Sequence, residues 1–135
     1  MLVLWRGSAI STVALTSEAR PSDMNERGQV VGLLGTSQLV PFLWEEGQTT
    51  ILAPEAWTSP EPRVNDSGQV VYTSGSPVGP SVWQNGRSTP LNRRLTGSEW
   101  DLVSADDINN AGQIIGVART RTGNRMGVVV LTPVR

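Results

Sequence analysis

Two tryptophans stand among groups that could orient a ligand. Trp57 is flanked by Pro54, Glu55, Ser59 and Glu61, and Trp100 by Arg93, Arg94, Glu99 and Asp101. An indole face offers flat apolar area to a sugar ring or a peptide, while carboxylates and guanidinia orient hydroxyls. The same tryptophans also suit a plainer task, as plugs that hold their loops down. Glu45-Glu46 and Asp106-Asp107 have the residue types for glycosidase-like acid–base work. Neighbours on a strand point to opposite faces, so neither pair converges on one site. Asp23-x-Asn25-x-x-Gly28 and Asp107-x-Asn109-x-x-Gly112 place oxygen ligands on alternate residues before a glycine, like half of a calcium loop. The bidentate glutamate that closes such a loop is missing, and Arg63 stands where the middle copy would need its aspartate. The candidate ligand-binding residues are therefore Trp57, Trp100, Arg93 and Arg94, with no catalytic residue, metal ligand or cofactor assigned.

Composition narrows the chemistry further. The 135 residues include no cysteine, histidine or lysine. That removes disulfides, thiolate nucleophiles, the Ser-His-Asp triad, most zinc sites, Schiff-base chemistry and the P-loop lysine. A net charge of −1 with 17% charged residues leaves no electrostatic footprint for nucleic acid. The apolar start, Met1 to Trp5, is short, lacks a basic region and reads as a strand and not as a signal peptide. No apolar run reaches the length of a membrane span.

The elements that must position these residues come in copies. Asn25-Glu26-Arg27-Gly28-Gln29-Val30-Val31-Gly32 recurs as Asn65-Asp66-Ser67-Gly68-Gln69-Val70-Val71-Tyr72 and as Asn109-Asn110-Ala111-Gly112-Gln113-Ile114-Ile115-Gly116. A second phrase alternates with it: Trp5-Arg6-Gly7, Trp44-Glu45-Glu46-Gly47 and Trp83-Gln84-Asn85-Gly86. The asparagines lie 40 and 44 residues apart and the tryptophans 39 and 39. A fixed period near 40 signals one supersecondary unit copied in tandem. In each Asn-x-x-Gly the asparagine can bond its own backbone two residues on, and the glycine supplies a positive φ. In Trp-x-x-Gly the chain reverses into the next strand. Trp5, Trp44 and Trp83, like Asn25, Asn65, Asn109, Gly28, Gly68 and Gly112, are structural repeat positions, the tryptophans packing between units with each indole N–H on a carbonyl.

Each repeat thus holds two hairpins, giving strands a, b, c and d in an all-β chain. Strands c and d are expected at 2–6 and 10–16, complete sets at 22–53 and 62–92, and a and b at 103–118 with a c-like strand at 127–131. The whole chain, 1–135, reads as one domain with units 21–60, 61–102, and 1–20 joined to 103–135 in one shared blade. Asn92 to Trp100 is the longest insertion, a loop where specificity could reside. Three units of this length suit a β-trefoil by arithmetic, while four-stranded units suit the blades of a β-propeller.

Asp107 to Gly116 followed by Val-Val-Leu, and Met24 to Gly32 followed by Pro41-Phe42-Leu43-Trp44, resemble the HAF-type bacterial tandem repeat. The resemblance covers nearly the whole chain, with Tyr72 and the loose Val78-Gly-Pro-Ser-Val82 as departures. It implies propeller-like blades and an extracellular setting, and it leaves activity open. Three blades cannot close a ring, which implies either a homodimer or part of a longer array. The expectation is a non-enzymatic, lectin-like module that binds glycan or protein through its loop face. A purely structural segment of an extracellular array, and an enzyme or small-molecule pocket in a central channel using carboxylates and Tyr72, are the alternatives.

Overall fold

The computed structural model describes residues 2–13, 18–54, 60–75, 77–95 and 99–134, with the backbone alone over 2–6 and 9–13. Thirteen strands and one turn of 3-10 helix are described. β1 (Leu2–Arg6) and β2 (Ala9–Val13) pair only with each other. β3 (Ala19–Met24), β4 (Val30–Leu34), β5 (Val40–Glu45) and β6 (Gln48–Ile51) form the first four-stranded antiparallel sheet in sequence order. β7 (Arg63–Val64), β8 (Val70–Thr73), β9 (Pro80–Gln84) and β10 (Arg87–Pro90) form the second, followed by the helical turn Leu91–Arg94. β11 (Trp100–Ile108), β12 (Ile114–Thr120) and β13 (Met126–Leu131) make the third sheet. The chain is all-β, and among the described residues no strand of one repeat pairs with a strand of another. β11, nine residues long, is the longest strand described and starts at Trp100. Trp100 therefore opens a strand and does not sit in a loop.

Local chemistry explains the bends. Glu46-Gly47 and Asn85-Gly86 have φ of 48°, 85°, 51° and 84°. Two successive positive φ values make the type I′ hairpin, whose twist matches the flanking strands. Each Asn-x-x-Gly phrase instead forms the wider bend from strand a to strand b.

Apolar faces then stack the sheets. Val31, Leu43, Leu52 and Ala53 of the first repeat cluster with Val64, Val70 and Tyr72 of the second, with Trp83 packed against them. Val71, Val82 and Leu91 cluster with Leu102, Ala105, Ile108 and Ile114 of the third repeat, with Val129 and Leu131 alongside. Adjacent residues Val70 and Val71 thus face opposite neighbours, and both are fully buried. On the other side of the first sheet, Val30, Leu34, Phe42 and Trp44 make a third cluster. Trp44 lies opposite Val30, Trp83 opposite Val70, and Leu131 opposite Ile114. In the second and third sheets the repeated position hence faces the preceding unit, and Leu131 takes the tryptophan's place in the last copy. Among the described residues the buried Trp44 Nε1 meets no acceptor, contrary to the expected carbonyl bond.

The glycine that ends the phrase sets the length of strand a. A Cβ on Gly32 would lie 2.1 Å from the Arg20 carbonyl oxygen, and one on Gly116 2.0 Å from that of Ser104. Strand a passes over these glycines with bulges in β3 and β11. Tyr72 occupies the same place in the middle copy, and there strand a shrinks to the two residues of β7. The tyrosine ring fills the interface between the first two sheets instead, its hydroxyl 2.6 Å from the Ser88 Oγ. Gly116→Ala is expected to lower unfolding free energy by about 2–4 kcal/mol through this backbone clash. Tyr72→Phe, which removes one hydroxyl bond and no volume, should lower it by about 1 kcal/mol. Urea denaturation of both variants checks the order.

Candidate functional site

The three asparagine turns form one continuous ladder. Asn25 Oδ1 accepts the backbone N–H groups of Arg27 and Gln29 at 3.1 and 3.0 Å. Its Nδ2 donates to Gln29 Oε1 at 2.6 Å and to the Asn65 carbonyl oxygen at 2.9 Å. Asn65 repeats every bond: Ser67 and Gln69 N–H at 3.1 and 2.9 Å, Gln69 Oε1 at 2.8 Å, and the Asn109 carbonyl at 3.0 Å. Asn109 binds Ala111 N–H, Gln113 N–H and Gln113 Oε1, and among the described residues its Nδ2 makes no onward bond to another asparagine carbonyl.

A second rail runs beside the first. Glu26 N–H donates to Asp66 Oδ1 at 2.9 Å, and Asp66 N–H to Asn110 Oδ1 at 2.8 Å. The glutamines tie each turn to the residue after the repeated Trp or Leu. Their Nε2 groups reach Glu45 at 3.0 Å, and Gln84 and Thr132 each at 3.4 Å. Glu45 is thereby committed to Gln29, with Arg27 at 3.7 Å as well. The asparagines and Gly28, Gly68 and Gly112, each glycine at φ near 80°, thus hold the positions their periodicity assigned. The glutamines were present in every copy of the phrase, and their part in the ladder was missed.

The half-calcium pattern has a different use. Asp23 Oδ1 accepts the N–H of Met24 and Oδ2 the N–H of Val64, at 2.9 and 3.0 Å. Arg63, in the aspartate's place, donates back to the Ser22 carbonyl at 3.2 Å. Among the described residues no three acidic side chains gather as a metal set.

The predicted ligand residues do not form one cluster. Trp57 lies outside the described residues. Arg93 and Arg94 follow one another on the helical turn and diverge. Arg93 lines a groove of about 690 Å³ with Ser74, Pro77, Pro80, Pro90, Asp101 and Arg119. Arg94 lines another, of about 530 Å³, with Leu95, Ile108, Val130 and Pro133. Asn92, which sequence reasoning passed over, pins this turn to the third sheet. Its Nδ2 donates to the Leu102 carbonyl at 3.0 Å, and its Oδ1 accepts the Leu102 N–H at 2.8 Å.

Trp100 is held on the protein itself. The Arg125 guanidinium lies 5.6 Å from its ring centroid and 3.7 Å from Glu99. Arg121 is 3.4 Å from Asp101, and its N–H donates to the Glu99 carbonyl at 2.9 Å. The bend after β12 is thus clamped onto the start of β11, as a plug would be. Exposed cation–π and ion pairs of this kind are each weak, about 0.2–1 kcal/mol, so a ligand could displace Arg125 at small cost.

Asn65→Ala removes four bonds at a buried position and should cost about 2–4 kcal/mol. Asn109→Ala removes three at an exposed one and should cost about 1 kcal/mol. Chemical denaturation of the two variants tests this difference between identical motifs. Comparison with protein-family models, with curated proteins and with solved structures finds no match for this chain.

Proposed function

We propose that the chain is a non-enzymatic β-repeat module that recognises glycan or protein in the groove beside Arg93. The observation that carries this reading is the pairing of Arg93 and Arg119 around that groove. Both guanidinia are exposed, and neither has an ion-pair partner among the described residues. Pro77, Pro80 and Pro90 contribute rigid apolar walls, and Asp101 supplies an acceptor. Rigid walls with a few convergent polar groups suit a ligand with a flat apolar face and oxygen substituents. Two guanidinia against one carboxylate favour ligands that carry carboxylate or sulfate groups.

The strand order supports blades over a trefoil, because each four-stranded sheet is one repeat in sequence order, and successive sheets meet face to face. A closed ring, whether formed by a homodimer or within a longer array, belongs to the same proposal. The structural reading has its own support in the ladder, which uses the most regular residues for stacking alone. Acid–base catalysis has the least, since Glu45 is bonded to Gln29 and Asp101 is paired with Arg121.

A glycan array probed with the purified chain, followed by titration of the best acidic oligosaccharide, tests the reading. Arg93→Ala and Arg119→Ala should each weaken binding about tenfold, equivalent to the loss of roughly 1.4 kcal/mol. Trp100→Ala should weaken it if the ligand displaces Arg125. Binding that survives both arginine substitutions unchanged would remove this groove from consideration. No retention of any glycan would move the search to protein ligands.

A further inference from the structure

The face of the third sheet that points away from the second is built like an interface and is left uncovered. In the first two repeats the corresponding face is the one that receives the next unit. Val31 and Val71, one residue on from the first valine of the phrase, are both 0% exposed, whereas Ile115 in the same position is 45% exposed. Leu43 and Val82 pair with those valines and are buried, whereas Val130, the partner of Ile115, is 58% exposed. A groove of about 330 Å³ lies there, lined by Asp107, Asn109, Gln113, Ile115 and Val130.

Both rails of the ladder also stop at this edge. Asn109 Nδ2 retains a hydrogen that Asn25 and Asn65 give to the next asparagine carbonyl. The Asn110 N–H lacks the side-chain oxygen that Glu26 and Asp66 N–H groups find on the next repeat.

The opposite edge of the chain carries the matching halves. Among the described residues the Asn25 carbonyl accepts its own Gly28 N–H alone, at 3.1 Å, while those of Asn65 and Asn109 accept a second bond from the preceding asparagine. Glu26, exposed, holds a carboxylate where Asp66 and Asn110 hold the accepting oxygen. Met24 is 60% exposed, and its counterparts Val64 and Ile108 are buried against the preceding sheet. The two edges are therefore complementary in donors and acceptors, and Met24 is the exposed apolar group that the first edge offers to Ile115 and Val130.

We propose that the Asn109–Asn110 edge, with Ile115 and Val130, docks the Met24–Asn25–Glu26 edge of a second copy of this chain, head to tail. Asn109 Nδ2 then donates to the Asn25 carbonyl and Asn110 N–H to the Glu26 carboxylate. Met24 enters the groove between Ile115 and Val130. The contact is confined to this rim, because Val30, Phe42 and Trp44 on the same face of the first sheet are already buried within the chain, and it does not involve the Arg93 groove. Such a heterologous contact closes into a ring or runs on as a filament.

Light scattering behind a sizing column, over a wide range of concentrations, gives the first readout. The wild-type chain is expected at twice its own mass or a higher multiple, with Met24→Glu and the double variant Ile115→Glu/Val130→Glu each monomeric. All three sites are exposed, and circular dichroism of each variant confirms folding. Asn109→Ala, which leaves the apolar groups in place, should weaken association about tenfold. Mixing the Met24→Glu chain with the double variant decides polarity, because each keeps the edge that the other lacks. A one-to-one heterodimer is expected. A wild-type monomer at every concentration overturns the proposal, and so does a mixture that stays monomeric or a single variant that still dimerises alone, the result a symmetric face-to-face dimer would give.

Discussion

Everything in this fold depends on an asparagine side chain that serves two repeats at once. One end of the amide, Oδ1, closes its own turn by accepting two backbone N–H groups. The other end, Nδ2, divides its two hydrogens between the glutamine of the same turn and the backbone of the next. A carboxylate of similar shape could close the turn and could not donate onward. A hydroxyl could donate once. Only an amide satisfies all four partners, and at Asn65 the site is buried, so every partner left unmet would carry a desolvation cost.

Hydrophobic burial supplies most of the attraction between sheets, but it has no direction and sets no height. The ladder supplies that setting, because a bond of about 3 Å tolerates little sliding. Once the turns are level, Val31 and Leu43 meet Val70 and Tyr72, while Val71 and Val82 meet Leu102 and Ile114. The middle strand b, buried on both faces, accordingly carries an unbroken Val70-Val71-Tyr72-Thr73. Strand b of the third sheet is covered on one face and alternates buried with open positions along 114–120. Neighbours, and not local propensity, distinguish the two patterns.

The repeated phrases made most of the strands and both kinds of turn legible, since Asn, Gly and Trp act through short-range geometry that survives in any context. Context hid the remainder. Tyr72 was visible as a departure, but its effect is exerted on strand a, several residues upstream, and only a three-dimensional pairing discloses that. The bulges in β11 break the two-residue alternation of Ser98 to Ile108 and disguise a strand of nine residues. Arg93 and Arg94 looked like one pair because they are adjacent, yet a helical turn aims them into separate grooves. Trp100 was grouped with them in sequence, whereas in space it is covered by Arg125 from the bend of the β12–β13 hairpin.

The polarity of the ladder has a consequence in time. Each asparagine rung is donated by an earlier repeat and accepted by a later one, 40 or 44 residues further along the chain, although Asn110 Nδ2 also donates back to Asp66. During synthesis each turn emerges with its donor formed and its acceptor still unmade. At about 5–20 residues per second, the acceptor follows its donor by roughly 2–8 s. Each sheet must therefore wait as a half-satisfied unit, and its completion is timed by the arrival of the next. The asparagine rungs are thus completed in chain order, each by the turn that is synthesised next.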